Sequence, residues 1–257
     1  MPSSPPPHPP KGIALFDLDG TLLPWDCQLL FRYYVIRKEP WRILFLPIFL
    51  LSLPFALWLK KNRLKRIFIT FIYGIPTQRL EQYATEFAAW IQPAMYQEVL
   101  TLLEKHRLDG DLLILSSASP ECYVLEIGKS LGFHLTFGTI LENRNLFPKL
   151  TNHKGDEKVR RLYRSLPMDH FMGNQLTRCH GYTDSCADLP MLALCQTATV
   201  VNPSPKLTAI AEQNHWHIIR PQRPWSHRLG FAWRATALLF GLGSNPASIP
   251  PHQSIQP

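Results

Sequence analysis

The sequence predicts an α/β protein: a Rossmann-like parallel sheet core with helices on both faces and a helical cap inserted into it. Three observations carry that prediction. Short apolar runs at 13–16, 111–117, 178–184 and 197–203 stop at turn-forming or polar residues and read as buried strands. Helical stretches follow the later runs, and strands alternating with helices build parallel sheets through crossover connections. Residues 24–107 break the alternation with helical patterns and no convincing strand, so they form an insertion between the first two core strands.

The first strand opens the stretch "IALFDLDGTLLPWD" (13–26), and Asp17 and Asp19 leave its tip on either side of Leu18. Gly20 and Thr21 then turn the chain, glycine permitting a reversal that a side chain would hinder. Within the insertion, Leu80, Tyr83, Ala84, Phe87 and Ile91 recur at helix spacing and mark one buried face. After the second strand, "SPECYVLEIGKSLG" reads as a helix with Ser119 as N-cap, Pro120 at its first position and Gly132 closing it. "NHKGDEKVRRL" (152–162) brings lysines to the start of another helix. The strand "RCHGYTD" delivers Asp184, with Asp188 four residues on, and "TATVVNP" is the last core strand.

The core therefore takes 12–23 and 108–221, and the cap takes 24–107. The Pro-rich residues 1–11 read as a disordered tail. Residues 222–257 read as a partly disordered extension, whose "LGFAWRATALLFGLG" (229–243) is either a second membrane contact or part of that tail.

Hydrophobic content of 46% over 257 residues supports a real core, and the net charge of +8 favours an anionic partner. That partner is not read as nucleic acid, because the basic residues cluster around an apolar stretch and form no recognisable nucleic-acid module. Five cysteines without a repeated spacing suit free thiols in a reducing compartment. The N-terminus lacks the apolar core of a signal peptide, so the first expectation is a cytoplasmic protein.

Open parallel sheets place their sites at the carboxyl ends of the strands, where these acids and hydroxyls gather. Each element alone is weak: a lone D-x-D is more often a solvated turn, and a Ser-rich strand end is usually a helix cap. Together they supply carboxylates for a hard cation, with hydroxyls and a lysine for phosphate oxygens. That inventory suits metal-assisted phosphoryl transfer.

"FDLDGTL", "LSSAS", "DEKVRRL" and "GYTDSCADLPML...VNP", in this order across 12–205, resemble the haloacid-dehalogenase superfamily of phosphatases. The similarity is to the branch with a helical cap between the first and second motifs, which includes phosphoserine phosphatases. The resemblance implies that Asp17 is a nucleophile forming an aspartyl-phosphate, and that Asp19 is the general acid and then the base that activates water. It implies phosphate contacts from Gly20, Thr21, Ser117 and the Ala118 N–H, with Lys158 balancing their charge. Lys154 competes with Lys158, and Ser116 with Ser117. Asp17, Asp184 and the Asp19 backbone carbonyl would hold Mg²⁺, and Asp188 would orient metal-bound water. Asp26, nine residues after Asp17, stands where phosphoserine enzymes place a substrate-contacting acid; it touches substrate or caps a helix.

"WRILFLPIFLLSLPFALWLKK" (41–61) is the most unusual segment. Ile43–Leu59 is 17 residues without a charge, interrupted by Pro47 and Pro54 and flanked by basic residues on both sides. Such a run sits at the lower limit for a spanning helix. A single crossing would put Asp17 and Asp19 on one side and Ser117, Lys158 and Asp184 on the other, so the site could not assemble. The segment is therefore expected to be a re-entrant hairpin, an interfacial helix with Trp41 and Trp58 at head-group depth, or a buried cap helix, with membrane association preferred. It resembles the cap of phosphatidylglycerophosphatase C-type enzymes. The substrate so implied is a phosphorylated lipid, phosphatidylglycerophosphate, met at the cytoplasmic face of the inner membrane. The alternative is a phosphatase of a small phosphate ester, such as phosphoserine, with the apolar segment buried.

Overall fold

The structure is a computed structural model that describes residues 11–55, 61–143 and 145–243. In chain order, strand β1 (Ile13–Phe16) leads into five helices: α1 (Cys27–Lys38), α2 (Leu46–Ser52), α3 (Lys61–Phe68), α4 (Thr77–Ile91) and α5 (Gln97–Asp109). Then come β2 (Leu112–Pro120), α6 (Glu121–Ser130), β3 (Leu135–Leu141), β4 (Leu150–Thr151) and α7 (Asp156–Ser165). A small hairpin of β5 (Phe171–Met172) and β6 (Gln175–Leu176) precedes β7 (Cys179–Thr183), α8 (Leu189–Leu192) and β8 (Thr197–Val201). The described chain closes with α9 (Pro205–Gln213), β9 (His217–Ile219) and α10 (Arg228–Leu239).

The main sheet runs β4-β3-β2-β1-β7-β8-β9, parallel throughout except for the antiparallel edge strand β4. β1 lies at its centre with every residue buried. Successive strand residues face opposite sides, so Ala14 and Phe16 enter one apolar cluster while Ile13 and Leu15 enter the other. Helices cover both faces, as a sheet of buried, near-continuous apolar strands requires. The four strands expected from the sequence are all present. β3 and β9 were not legible there: β3 carries Gly138, and β9 is only three residues long.

Ser119 does not cap α6. β2 continues through Pro120 with a register irregularity between Ser116 and Pro120, and Pro120 itself is the cap residue, without a side-chain cap bond. The extended backbone turns the Ser119 hydroxyl toward Asp19 instead. Gly132 follows the helix end with a φ of +71°, the left-handed conformation expected of a glycine there.

In the cap, the predicted face of α4 is buried: Leu80, Tyr83, Ala84, Phe87 and Ile91 all enter the core. Phe31 of α1 joins cap to core by packing its ring on Phe87 and on Tyr123 of α6. The apolar stretch 41–61 is not one helix. It forms a 3₁₀ turn at Pro40–Phe45, the short α2 and a second 3₁₀ turn at Leu53–Phe55. Proline lacks the N–H that a helix interior needs, so Pro47 and Pro54 each start a new turn. No helix among the described residues is long and apolar enough to cross a membrane. The buried-helix expectation is also corrected: within α2 only Leu46 is buried, while Leu44, Leu51, Leu53 and Phe55 are exposed. Trp58 lies outside the described residues.

Within the C-terminal extension, residues 222–243 are described and carry α10. α10 packs along α1 and buries Leu238. Trp225 meets the Trp25 ring edge-on and Phe231 stacks on it, and the Tyr33 hydroxyl donates to the Gly243 carbonyl at 3.2 Å. The tails expected at 1–10 and 244–257 lie outside the described residues.

Candidate active site

β1 ends in the middle of the sheet, so the residues that follow it emerge between the ends of β2 and β7. The Asp17 N–H donates to the Tyr182 carbonyl of β7 at 3.0 Å, continuing the ladder by one residue and fixing the carboxylate at the sheet's edge. Asp17 is 6% exposed and Lys158 1%. The Lys158 ammonium, from the first turn of α7, donates to Asp17 Oδ1 at 2.7 Å and lies 2.8 Å from Asp188 Oδ1. Thr183 donates to the other Asp188 oxygen at 2.8 Å, and Thr21 to Asp17 Oδ2 at 3.3 Å. Lys154 is exposed, so the buried lysine of the site is Lys158.

Asp19 is held from two sides. The Cys27 N–H, at the start of α1, donates to Oδ1 at 2.6 Å, and the Ser119 and Ser117 hydroxyls donate to Oδ2 at 2.7 and 3.2 Å. Ser117 also accepts the Ser119 N–H at 3.0 Å, whereas Ser116 turns away to share a buried hydrogen bond with His153. Gly20 has φ +80°, and a Cβ there would stand 2.2 Å from Asp184 Oδ2. Only glycine lets the Asp184 carboxylate lie against the β1 loop. The structure thus brings Asp17, Asp19, Gly20, Thr21, Ser117, Lys158, Asp184 and Asp188 to one edge of the sheet.

A haloacid dehalogenase-like hydrolase family model matches residues 14–193. The chain belongs to that family. A probable phosphatase of Mycobacterium tuberculosis is 31% identical over 140 residues, covering 54% of this chain and 48% of the relative. The chain thus spans about half of that relative's length. A phosphoserine phosphatase of the same organism is 26% identical over 231 residues, covering 83% of this chain and 72% of the relative. Among solved structures, a Bordetella pertussis protein of unknown function superposes with a TM-score of 0.66 at 23% identity, covering 80% of this chain and 97% of that one. That likeness concerns the fold.

The haloacid dehalogenase-like site is electrostatically loaded. Burial pushes the Asp17 carboxyl well above the usual carboxylate range; Lys158 opposes this, while Asp188, Asp184 and Asp19 add to it. Burial would strip the proton from Lys158, but Asp17 and Asp188 hold its pKa at about 12. Asp184 is pushed to about 7 by burial and by the carboxylates of Asp188 and Asp19. Among the described residues Asp184 pairs with no cationic side chain, since Lys158 is committed to Asp17 and Asp188.

No three His, Cys, Asp or Glu side chains among the described residues form a ready metal cluster. The donor set still fits a hard cation. Asp17 and Asp184 would supply two carboxylates and Asp19 a main-chain carbonyl, a set that suits Mg²⁺, an ion that keeps several waters and takes one or two carboxylates. The uncompensated charge at Asp184 is the position such an ion would neutralise.

This makes Asp184 a stability reporter in metal-free protein. Its folded pKa of about 7 lies above the unfolded value of 3.8, so the folded state binds the extra proton between those limits and loses stability as pH rises through them. Asp184→Asn is therefore expected to gain on wild type in melting temperature as pH is raised from about 5 to about 8 in EDTA. Melting curves that stay parallel across that range would contradict the assignment.

Asp26 caps α1, accepting the Leu29 N–H at 3.0 Å. Water reaches its carboxylate, yet protein surrounds it on most sides, and this burial together with Asp19 lifts its pKa to about 6. Three residues of the edge carry no active-site signal in the sequence: Ser119, whose local pattern is that of a helix cap, Thr183, and Lys65 of α3. Lys65 reaches from the cap into the core, donating to the Ala118 carbonyl, to Thr139 Oγ1 at 2.9 Å and to Asn152 Oδ1 at 2.7 Å. In the sequence it was one basic residue among several flanking the apolar run.

Proposed function

We propose that the chain is a Mg²⁺-dependent phosphatase that hydrolyses a phosphate monoester through an aspartyl-phosphate on Asp17. The observation that carries this reading is the buried Asp17–Lys158–Asp188 chain beside an Asp19 carboxylate held by Ser117, Ser119 and the Cys27 N–H. In the first step a carboxylate oxygen of Asp17 attacks phosphorus, the ester oxygen departs, and Asp19 gives that oxygen its proton. In the second step Asp19 takes a proton from water, whose oxygen attacks the same phosphorus and releases phosphate, restoring the Asp17 carboxylate. Thr21, Ser117 and the Ala118 N–H would hold the phosphoryl oxygens, with Lys158 balancing their charge, while the Gly20 N–H is spent on the Leu23 carbonyl at 2.9 Å and closes the turn. Bound Mg²⁺ supplies further neutralisation of the transferring group.

The substrate reading best supported is a small phosphate ester that is not a membrane lipid, in line with the phosphoserine phosphatase among the relatives. A second reading is a lipid head group, phosphatidylglycerophosphate converted to phosphatidylglycerol at the cytoplasmic membrane face. One observation favours it: five large apolar side chains within a short stretch of the cap, Trp41, Leu44, Leu51, Leu53 and Phe55, are exposed. A phosphate-release screen over soluble esters and vesicle-borne lipids, run with a flotation assay, separates the two. Turnover of soluble esters without flotation supports the first; lipid-restricted turnover with flotation supports the second.

The metal requirement is tested in the same assay. Turnover is expected to vanish in EDTA and return with Mg²⁺, while the larger, looser shell of Ca²⁺ restores little. Full activity in exhaustively chelated buffer would remove the metal from the account.

A further inference from the structure

A pocket of about 540 Å³ opens beside the catalytic edge, between the cap and α10. Leu29 of α1, Phe49 of α2, Phe68 of α3, and Ala235 and Leu239 of α10 build its apolar wall, while Asp26 and Lys65 stand at its polar rim. The rim is continuous with the site. Asp26 caps the helix whose first N–H, at Cys27, holds the Asp19 carboxylate. Lys65 donates to the carbonyl of Ala118, the residue after Ser117. Its three ammonium hydrogens are taken by Ala118, Thr139 and Asn152, so Lys65 acts as a strut between cap and core rather than as a free ligand for substrate.

Asp19, which in the phosphatase reading gives the leaving alcohol its proton, is held by the Cys27 N–H directly after Asp26 of this pocket. We propose that the pocket houses an apolar arm of that alcohol, so that the preferred substrates are phosphate monoesters carrying an alkyl or aryl chain. This rests on the phosphatase reading of the same site and narrows its substrate class. A short, polar ester such as phosphoserine leaves the wall of Leu29, Phe49, Phe68 and Leu239 facing water, whereas a chain displaces that water and gains the free energy of apolar burial. The Asp26–Lys65 rim lies where the polar phosphate end meets the chain.

The test is kcat/KM of the full chain with Mg²⁺ on monomeric n-alkyl phosphates from ethyl to octyl. Wild type is expected to gain about fourfold per added methylene, corresponding to about 0.8 kcal/mol, before levelling off as the pocket fills. Ala235→Trp fills the pocket from the α10 side and should bring the octyl-to-ethyl ratio close to one. Because the readout is a ratio within one protein, loss of folded material does not mimic it. A wild-type ratio within about twofold of one, or a slope that survives in Ala235→Trp, overturns the proposal. So does a chain preference confined to phosphatidic acid in phosphatidylcholine vesicles, which would mean that the apolar cap surface docks on a bilayer and the pocket stays unused. If no phosphate ester is hydrolysed, the phosphatase reading has failed, and calorimetric titration still reports on the pocket. Octylphosphonate binding more than about tenfold tighter than methylphosphonate supports it, and equal affinities overturn it.

Discussion

Asp17→Asn is expected to lower phosphate release by at least about 10⁴-fold, the scale on which hydrolases lose rate with their nucleophile. The amide cannot form the acyl phosphate, so no compensating route remains. The fold should survive the change. Lys158 keeps its partner Asp188 at 2.8 Å, and the substitution removes one buried carboxylate that its surroundings already disfavour in charged form. Purified variant with wild-type melting temperature and no turnover is the expected result. Turnover close to wild type would take the nucleophile role away from Asp17.

Lys158→Met should damage both folding and chemistry. The ammonium is 1% exposed and is the shared cation of Asp17 and Asp188, so its loss leaves two buried carboxylates facing each other without compensation. Breaking a buried pair from one side costs about 3–5 kcal/mol. For a chain of this size that lowers the melting temperature by roughly 6–20 °C. The activity loss should add about 10²–10³-fold, as for removal of a preorganised donor at a developing charge. The pH dependence has a definite sign. Without Lys158 the raised Asp17 pKa moves up further, so the variant is least destabilised at low pH, where the carboxyl is protonated, and most destabilised once pH rises above the folded pKa. Thermal melts at several pH values in EDTA check this, and a deficit that shrinks as pH rises would contradict it.

The acidic cluster at the sheet edge was legible because it violates the pattern around it. Asp17, Asp19 and Asp184 interrupt apolar runs at positions where a buried strand has no use for a charge. Lys158 was legible because Val159 and Leu162 place it on a helix, and Leu162 is indeed buried. The parts that were misread depend on contacts between distant segments. Ser119 stands before a proline and an acidic helix start, which locally specifies an N-cap; the bulged continuation of β2 turns it to Asp19 instead. Lys65 has no local signal, because its partners are 53, 74 and 87 residues away. In the 41–61 run the breaks at Pro47 and Pro54 were legible, whereas the exposure of Leu44, Leu51, Leu53 and Phe55 depends on which distant segments pack against it. The sequence after Pro221 resembles a tail because its packing surface, around Trp25 and Tyr33, belongs to the cap.

The central claim is that phosphate passes through the Asp17 carboxylate. The most direct measurement is acid quenching during steady-state turnover, followed by peptide mapping of the trapped phosphoryl group. An acid-stable, hydroxylamine-labile phosphoryl adduct confined to the peptide containing Asp17, and absent from Asp17→Asn, is the expected result. Steady turnover without any trapped phosphoryl-protein, or an adduct on a different residue, would contradict it.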